Sequence, residues 1–193
     1  MFQIKYTAEE TNKVFLSRPS NLIFILNNIL SEDTCEDISR YIDTNVKVEE
    51  KEFNYNTNVS AYGKILSVYD KHCNVIKSTI RNISEHMYKQ YAVETSCNSS
   101  IVLRKIYGAT KMHVDGPFNT GQEASVQRIM ALIICLNDDY EGGELFFPCQ
   151  NFKVKLKKGQ AILFPPFWTH PHRTNDLKNN TFRYTITTWL CLH

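Results

Sequence analysis

Arg128-Ile129-Met130-Ala131-Leu132-Ile133-Ile134-Cys135-Leu136-Asn137, then Tyr140-Glu141-Gly142-Gly143-Glu144-Leu145-Phe146-Phe147-Pro148, then Lys158-Gly159-Gln160-Ala161-Ile162-Leu163-Phe164-Pro165, decide the fold of this chain. Each run is short, rich in apolar and β-branched residues, and closed by a turn such as Asn137-Asp138-Asp139 or Gly142-Gly143. Short apolar strands separated by tight turns imply two facing antiparallel sheets with helices packed outside, a jelly roll. Upstream, Ile101-Val102-Leu103-Arg104-Lys105-Ile106-Tyr107 reads as the first core strand and leads into Gly108.

Between these strands lies Met112-His113-Val114-Asp115-Gly116, where one residue separates an imidazole from a carboxylate. On an extended segment both side chains point to the same side, which makes half of a metal site. In isolation such a pair is more often an ordinary surface hydrogen-bonded pair, and it is the flanking motifs that favour a metal site. Phe164-Pro165-Pro166-Phe167-Trp168-Thr169-His170-Pro171-His172-Arg173 supplies two candidates for a third ligand, His170 and His172. Two His and one carboxylate with open positions suit non-haem Fe(II) and oxygen chemistry, whereas a closed structural zinc site wants four protein ligands. The two distal histidines are two residues apart and face the same way, so alternation leaves the choice between them open.

In order and spacing, His113-x-Asp115, the apolar strand ending in Leu136-Asn137, the Gly142-Gly143-Glu144-Leu145 turn, the Lys158-Gly159 strand and a distal His followed by Arg183 resemble the prolyl 4-hydroxylase-like Fe(II)/2-oxoglutarate dioxygenases. The resemblance covers the C-terminal half and is faint before residue 100. It implies Fe(II) held by His113, Asp115 and His172, since His172 lies 11 residues before Arg183 and His170 lies 13, against about ten in the family. It further implies 2-oxoglutarate as cosubstrate, its distal carboxylate on Arg183 with Thr187 and Tyr107 as hydrogen-bonding neighbours, and ascorbate as an accessory reductant. The implied reaction hydroxylates a C–H bond, with a prolyl residue of a peptide or protein as the expected target, and releases succinate and carbon dioxide. The same chemistry on another amino acid, a small molecule or a nucleotide stays open, as does a catalytically silent metal-binding module, because specificity lives outside the shared motifs. One departure stands out: Thr174-Asn175-Asp176-Leu177 follows His172 where the family usually has Pro-Val.

On the last strand, Arg183, Thr185, Thr187 and Trp189 share one face and Tyr184, Ile186 and Thr188 the other. The arginine face is expected to look into the roll, where a planar two-pronged donor matches a carboxylate. Phe164, Phe167 and Trp189 are expected to wall the site.

The rest of the chain reads as support. A length of 193 residues with 42% hydrophobic residues fits one α+β, mainly β domain, with supporting strands and helices in 1–100 and the catalytic core in 101–193. A formal net charge of +2 argues against nucleic acid as an obligatory partner. Six scattered cysteines without a C-x-x-C pair, no secretory leader and no membrane-length apolar run lead us to expect a soluble, reducing, cytoplasmic setting. Residues 1 to 20 suggest a short strand and a loop. Asn21 to Leu26 read as a strand, Ser31 as the cap of a helix through Tyr41, and Val68 to Tyr91 as an amphipathic helix with Ile76, Ile80, Ile83 and Met87 on one face. Charged residues 46 to 66 read as a solvated loop or edge hairpin, or a substrate lid, and the turn-rich Gly116 to Gly121 as the mouth of a pocket. His72 and His86 are expected as surface or packing residues.

Overall fold

The computed structural model describes residues 22–46, 61–96, 99–117 and 127–192. The expected strand and loop in 1–20, most of the charged stretch before Ala61, and the turn-rich excursion beyond Pro117 lie outside the described residues. The elements run β1 (Phe24–Leu26), α1 (Glu32–Asn45), β2 (Ala61–Ile65), α2 (Cys73–Tyr91), β3 (Val102–Ile106), β4 (Thr110–His113), β5 (Arg128–Cys135), β6 (Glu141–Gly142), β7 (Leu145–Phe147), β8 (Phe152–Val154), β9 (Ala161–Phe164), β10 (His172–Thr174), β11 (Leu177–Lys178) and β12 (Arg183–Cys191). Six strands form one antiparallel sheet in the order β1-β9-β5-β12-β3-β2, and four form the facing sheet, β4-β10-β7-β8. This is the jelly roll expected of a mainly β chain.

Both helices form for local reasons and are held by packing. The Ser31 hydroxyl accepts the Thr34 N–H at 3.3 Å, and Glu32 and Asp33 stand in the first turn against the positive helix end. Cys35, Ile38 and Ile42 recur at helical spacing and are fully buried. In α2 the stripe Ile76, Ile80, Ile83 and Met87 does the same. That helix starts at Cys73 rather than Val68, because Asp70 captures the segment before it. The Asp70 carboxylate accepts the Ser67 N–H, the Tyr41 hydroxyl and the Lys64 ammonium, offering the backbone a turn in place of a helix. The same contacts tie β2, the end of the charged stretch and the edge strand beside β3, to α1.

Strand alternation divides the molecule into two apolar layers. Leu132 and Ile134 of β5, Ala161 and Leu163 of β9, and Ile186 and Leu190 of β12 face the helices. Ala131 and Cys135, Ile162 and Phe164 face the second sheet, where they meet Leu145, Phe147 and Leu156. Burying each such large side chain contributes roughly 1.5–3 kcal/mol. The parity of β3 and β12 is fixed from outside. Lys105 and Tyr184 are direct cross-strand partners, and both bond Asp43 of α1, at 2.6 and 2.8 Å. Their neighbours Arg104, Ile106, Arg183 and Thr185 therefore turn into the roll. No helix among the described residues is long and apolar enough to cross a membrane.

Candidate metal centre and cosubstrate cavity

Strands β4 and β10 pair antiparallel with His113 directly opposite His172. This register, and not sequence proximity, brings the two imidazoles together, with ring centroids 4.3 Å apart. Each ring bonds through Nδ1 to the carbonyl two residues before it, His113 to Lys111 at 2.8 Å and His172 to His170 at 3.1 Å. A carbonyl only accepts, so Nδ1 carries a proton in both rings. In the neutral ring the lone pair is left on Nε2. Those Nε2 atoms lie 3.4 and 3.8 Å from Oδ1 of Asp115. The three ligand atoms fall within 4.8 Å of one another, and no other such group of three occurs among the described residues.

The carboxylate is held from behind. Trp189 donates its indole N–H to Oδ2 of Asp115 at 3.0 Å, leaving Oδ1 for the cluster. Arg128 stacks on the Trp189 ring at 3.6 Å and donates to the Asp115 carbonyl. Burial alone would raise the Asp115 carboxyl, but His113, His172 and the Trp189 N–H outweigh it and hold it below the ordinary range. Burial pulls His113 down, yet the bonds to Asp115 and to the Lys111 carbonyl leave it above its usual value of 6.5. His172 is deeper. Burial pushes it below that value against the pull of Asp115. Phe164 and Phe147 wall it at centroid distances of 4.7 and 5.5 Å. His170 is buried apart from the cluster, with Nδ1 on the Thr169 hydroxyl at 2.9 Å.

The cluster opens into a cavity of about 630 Å³ between the sheets. Arg183, Thr185, Thr187 and Trp189 line it from β12, on the face expected from alternation. Arg183 spends Nη1 on the carbonyl of Gly143 at 2.6 Å, while its Nε and the hydroxyl of Thr185 are buried without a partner. Buried polar atoms are seldom left in that state, and here they face the same cavity. The Gly142-Gly143 turn that receives Arg183 needs glycine: both residues have positive φ, and a Cβ at Gly142 would collide with the Asp176 carbonyl. The unusual Thr174-Asn175-Asp176 stretch clamps this turn. The Asp176 carbonyl accepts the Gly143 N–H, Asn175 bonds Glu144 through backbone and side chain, and the Thr174 hydroxyl accepts the Thr110 N–H of β4.

Tyr107 is the one expected cosubstrate neighbour that the structure does not bring to the cavity. It shares the parity of Lys105, so it turns outward, is 38% exposed, and packs on Tyr62 at 5.1 Å. Three large polar side chains of the cavity wall were not singled out by the sequence reading. Tyr140 lines the wall near Arg183 with its hydroxyl 3.4 Å from the Leu156 carbonyl, and burial pushes its pKa up, so that it stays a neutral phenol. Arg104 and Arg128 are the others.

Two imidazoles and one carboxylate on one side, with the cavity on the other, fit a metal that keeps open positions. The unpartnered Arg183 Nε and Thr185 hydroxyl fit an anionic chelator in the same space. Residues 102–191 match the family model described as the 2OG-Fe(II) oxygenase superfamily. Over that stretch, a little under half of its length, the chain is similar to that superfamily. A curated relative, the putative prolyl 4-hydroxylase of Acanthamoeba polyphaga mimivirus, is 24% identical over 154 residues, 77% of this chain and 62% of the relative. The alignment thus leaves more than a third of that relative unmatched. Among solved structures, the viral collagen prolyl hydroxylase of Paramecium Bursaria Chlorella virus-1, in its 2OG complex, superposes with a TM-score of 0.68 at 17% identity, covering 90% of this chain and 97% of that one. A prolyl hydroxylase from Trichoplax adhaerens, in complex with a hypoxia inducible factor oxygen degradation domain peptide fragment, gives 0.69 at 18% identity, covering 95% and 89%. At these identities the likeness to the two solved structures is one of fold.

Proposed function

We propose that the chain is an Fe(II)- and 2-oxoglutarate-dependent hydroxylase of a prolyl residue in a peptide or protein. The observation that carries this reading is the convergence of His113, Asp115 and His172 on the same cavity that holds the unpartnered Arg183 Nε and Thr185 hydroxyl. His113, Asp115 and His172 are the residues that would hold iron. Arg183, with Thr185 and Thr187 beside it, would receive the distal carboxylate of 2-oxoglutarate.

When bound, iron and 2-oxoglutarate supply the chemistry that converts a C–H bond and dioxygen to an alcohol, with succinate and carbon dioxide as co-products. The chain's own residues do the positioning. Trp189 fixes the rotation of the Asp115 carboxylate, and the Lys111 and His170 carbonyls fix the two ring tautomers. Phe147 and Phe164 pack against His172 and keep water from that side of the centre. Arg183 draws the cosubstrate into register through a planar, always charged donor, and its contact with the Gly143 carbonyl sets the direction of the fork.

The prolyl part rests on the mimivirus relative and on the fold shared with prolyl hydroxylases. Ascorbate as accessory reductant and a reducing, cytosolic setting belong to the same reading. The test is succinate release in air with Fe(II), 2-oxoglutarate and a panel of proline-rich peptides, followed by mass spectrometry of the peptides. Release that depends on the peptide, with one oxygen gained at proline, is the expected result. Peptide-independent release only, or oxygen gained at another residue, would move the substrate elsewhere.

A further inference from the structure

Arg104 has no assigned role, and its surroundings are unusual. It lies directly across from Thr185 of β12 and Gly63 of β2, and the row continues through Thr185 to Cys135 of β5. Arg183 stands opposite Ile106, two residues further along the same face. Both guanidiniums line the cavity. Gly63 contributes no side chain beside the Arg104 stem, where even a Cβ would find the nearest atoms at 3.5 and 3.8 Å, so space is left there. Among the described residues the Arg104 guanidinium has neither a hydrogen bond nor a salt bridge.

Among the described residues, the charges lining the cavity are Arg104, Arg128 and Arg183 against the single carboxylate Asp115. Loading the proposed centre does not cure this excess. Fe(II) and Arg183 bring three positive charges, and Asp115 and 2-oxoglutarate bring three negative ones, so the loaded centre is neutral by itself. Arg128 is accommodated by the Trp189 ring and the Asp115 carbonyl. Among the described residues, Arg104 alone keeps an uncompensated charge in the cavity, a costly state in a desolvated site unless an anion arrives. Burial pushes its guanidinium below the ordinary value, with Asp115 acting against that and Arg183 with it, so it stands in the field of both ends of the site.

We propose that Arg104 is a specificity residue that receives a carboxylate of the substrate, so that the substrate is anionic close to the carbon that is hydroxylated. The inference rests on the hydroxylase reading above. The carboxylate has two sources, an acidic side chain beside the target proline or a free α-carboxylate on the proline itself.

The experiment uses the full chain with Fe(II) and 2-oxoglutarate under nitrogen and measures fluorescence anisotropy of labelled prolyl peptides. One arm compares Glu with Gln on either side of proline in peptides blocked at both ends. The other compares a C-terminal proline as free acid and as amide. The acid member of one arm should bind about tenfold or more tightly than its neutral partner, as expected for a desolvated charge pair. In Arg104→Met that ratio should fall to about one, and Arg104→Lys, which keeps the charge, should retain part of it. The 2-oxoglutarate midpoint, followed by the absorbance of the iron chelate, should not move in Arg104→Met.

Equal binding of acid and neutral peptides, or no peptide binding at all, would overturn the proposal. So would a rise in the 2-oxoglutarate midpoint of Arg104→Met as large as that of Arg183→Ala, because Arg104 would then hold the cosubstrate. The two readings fail differently. A wild-type chain that forms no chelate absorbance loses the hydroxylase reading and this inference with it, whereas a chain that forms the chelate and shows no carboxylate preference loses this inference alone.

Discussion

Replacing Trp189 by Phe should weaken metal binding without touching a ligand. The indole N–H donates to Oδ2 of Asp115 at 3.0 Å, and the carboxylate lies in a half-buried setting where water does not readily replace the lost donor. Phe keeps an aromatic ring under the Arg128 guanidinium, which sits 3.6 Å from the Trp189 ring, and keeps the place in β12 opposite Ala131. The change is therefore close to deletion of one charge-assisted hydrogen bond, worth roughly 1.5–3 kcal/mol. Freed of its anchor, the carboxylate can rotate away from the geometry that offers Oδ1 alone. A loss of roughly ten- to hundredfold in metal affinity is expected, the range seen when outer partners of ligands are removed. The assay is anaerobic titration with Fe(II), or with Co(II) as an absorbing substitute, alongside thermal unfolding to show that the fold survives. Metal affinity within about twofold of wild type, with the fold intact, would show that Trp189 merely packs and that the orientation argument is wrong.

Four further outcomes follow from the same geometry. His172→Ala should abolish metal binding while His170→Ala should leave most of it, since only His172 points Nε2 at Asp115; the reverse ranking in the same titration would move the ligand role to His170. Arg183→Ala should raise the 2-oxoglutarate requirement by tens to thousands of fold, equivalent to about 2–5 kcal/mol, and change iron affinity far less, with Arg183→Lys intermediate. Gly142→Ala should destabilise the protein by about 1 kcal/mol or more in urea unfolding, because positive φ and the Asp176 carbonyl both oppose a side chain. Metal affinity should begin to fall on acidification already above pH 6.5, because a proton held on His113 by Asp115 competes with the ion; affinity that is flat until well below 6.5 would contradict that pairing.

Much of this was legible in the sequence, for identifiable reasons. Turn residues between short apolar runs announced the jelly roll, and helical spacing of Ile76, Ile80, Ile83 and Met87 placed α2 correctly except at its start. The start escaped because Asp70 gathers its partners from Tyr41 and Lys64, both distant along the chain. Alternation placed Thr185, Thr187 and Trp189 on the Arg183 face because β12 is long and its two faces differ in character. The first core strand offered no such contrast. Arg104 and Lys105 are adjacent cations in an apolar run, and either could have been the inward one. Asp43 of α1 decides, by holding Lys105 and Tyr184 outside. That single long-range contact turns Arg104 into the cavity and Tyr107 away from it. The meeting of His113 with His172 likewise depends on the pairing of β4 with β10, which no local pattern encodes.

The most direct test of the account is an anaerobic titration of the purified chain with Fe(II) and then 2-oxoglutarate, followed by visible absorbance. The wild-type chain should develop the charge-transfer band of the iron chelate with saturable dependence on both components. Asp115→Ala should give no band, and Arg183→Ala should give it only at much higher 2-oxoglutarate. A wild-type chain that binds neither component, or an Asp115→Ala variant that develops the band as wild type does, would contradict the assignment of this cavity as an iron and 2-oxoglutarate site.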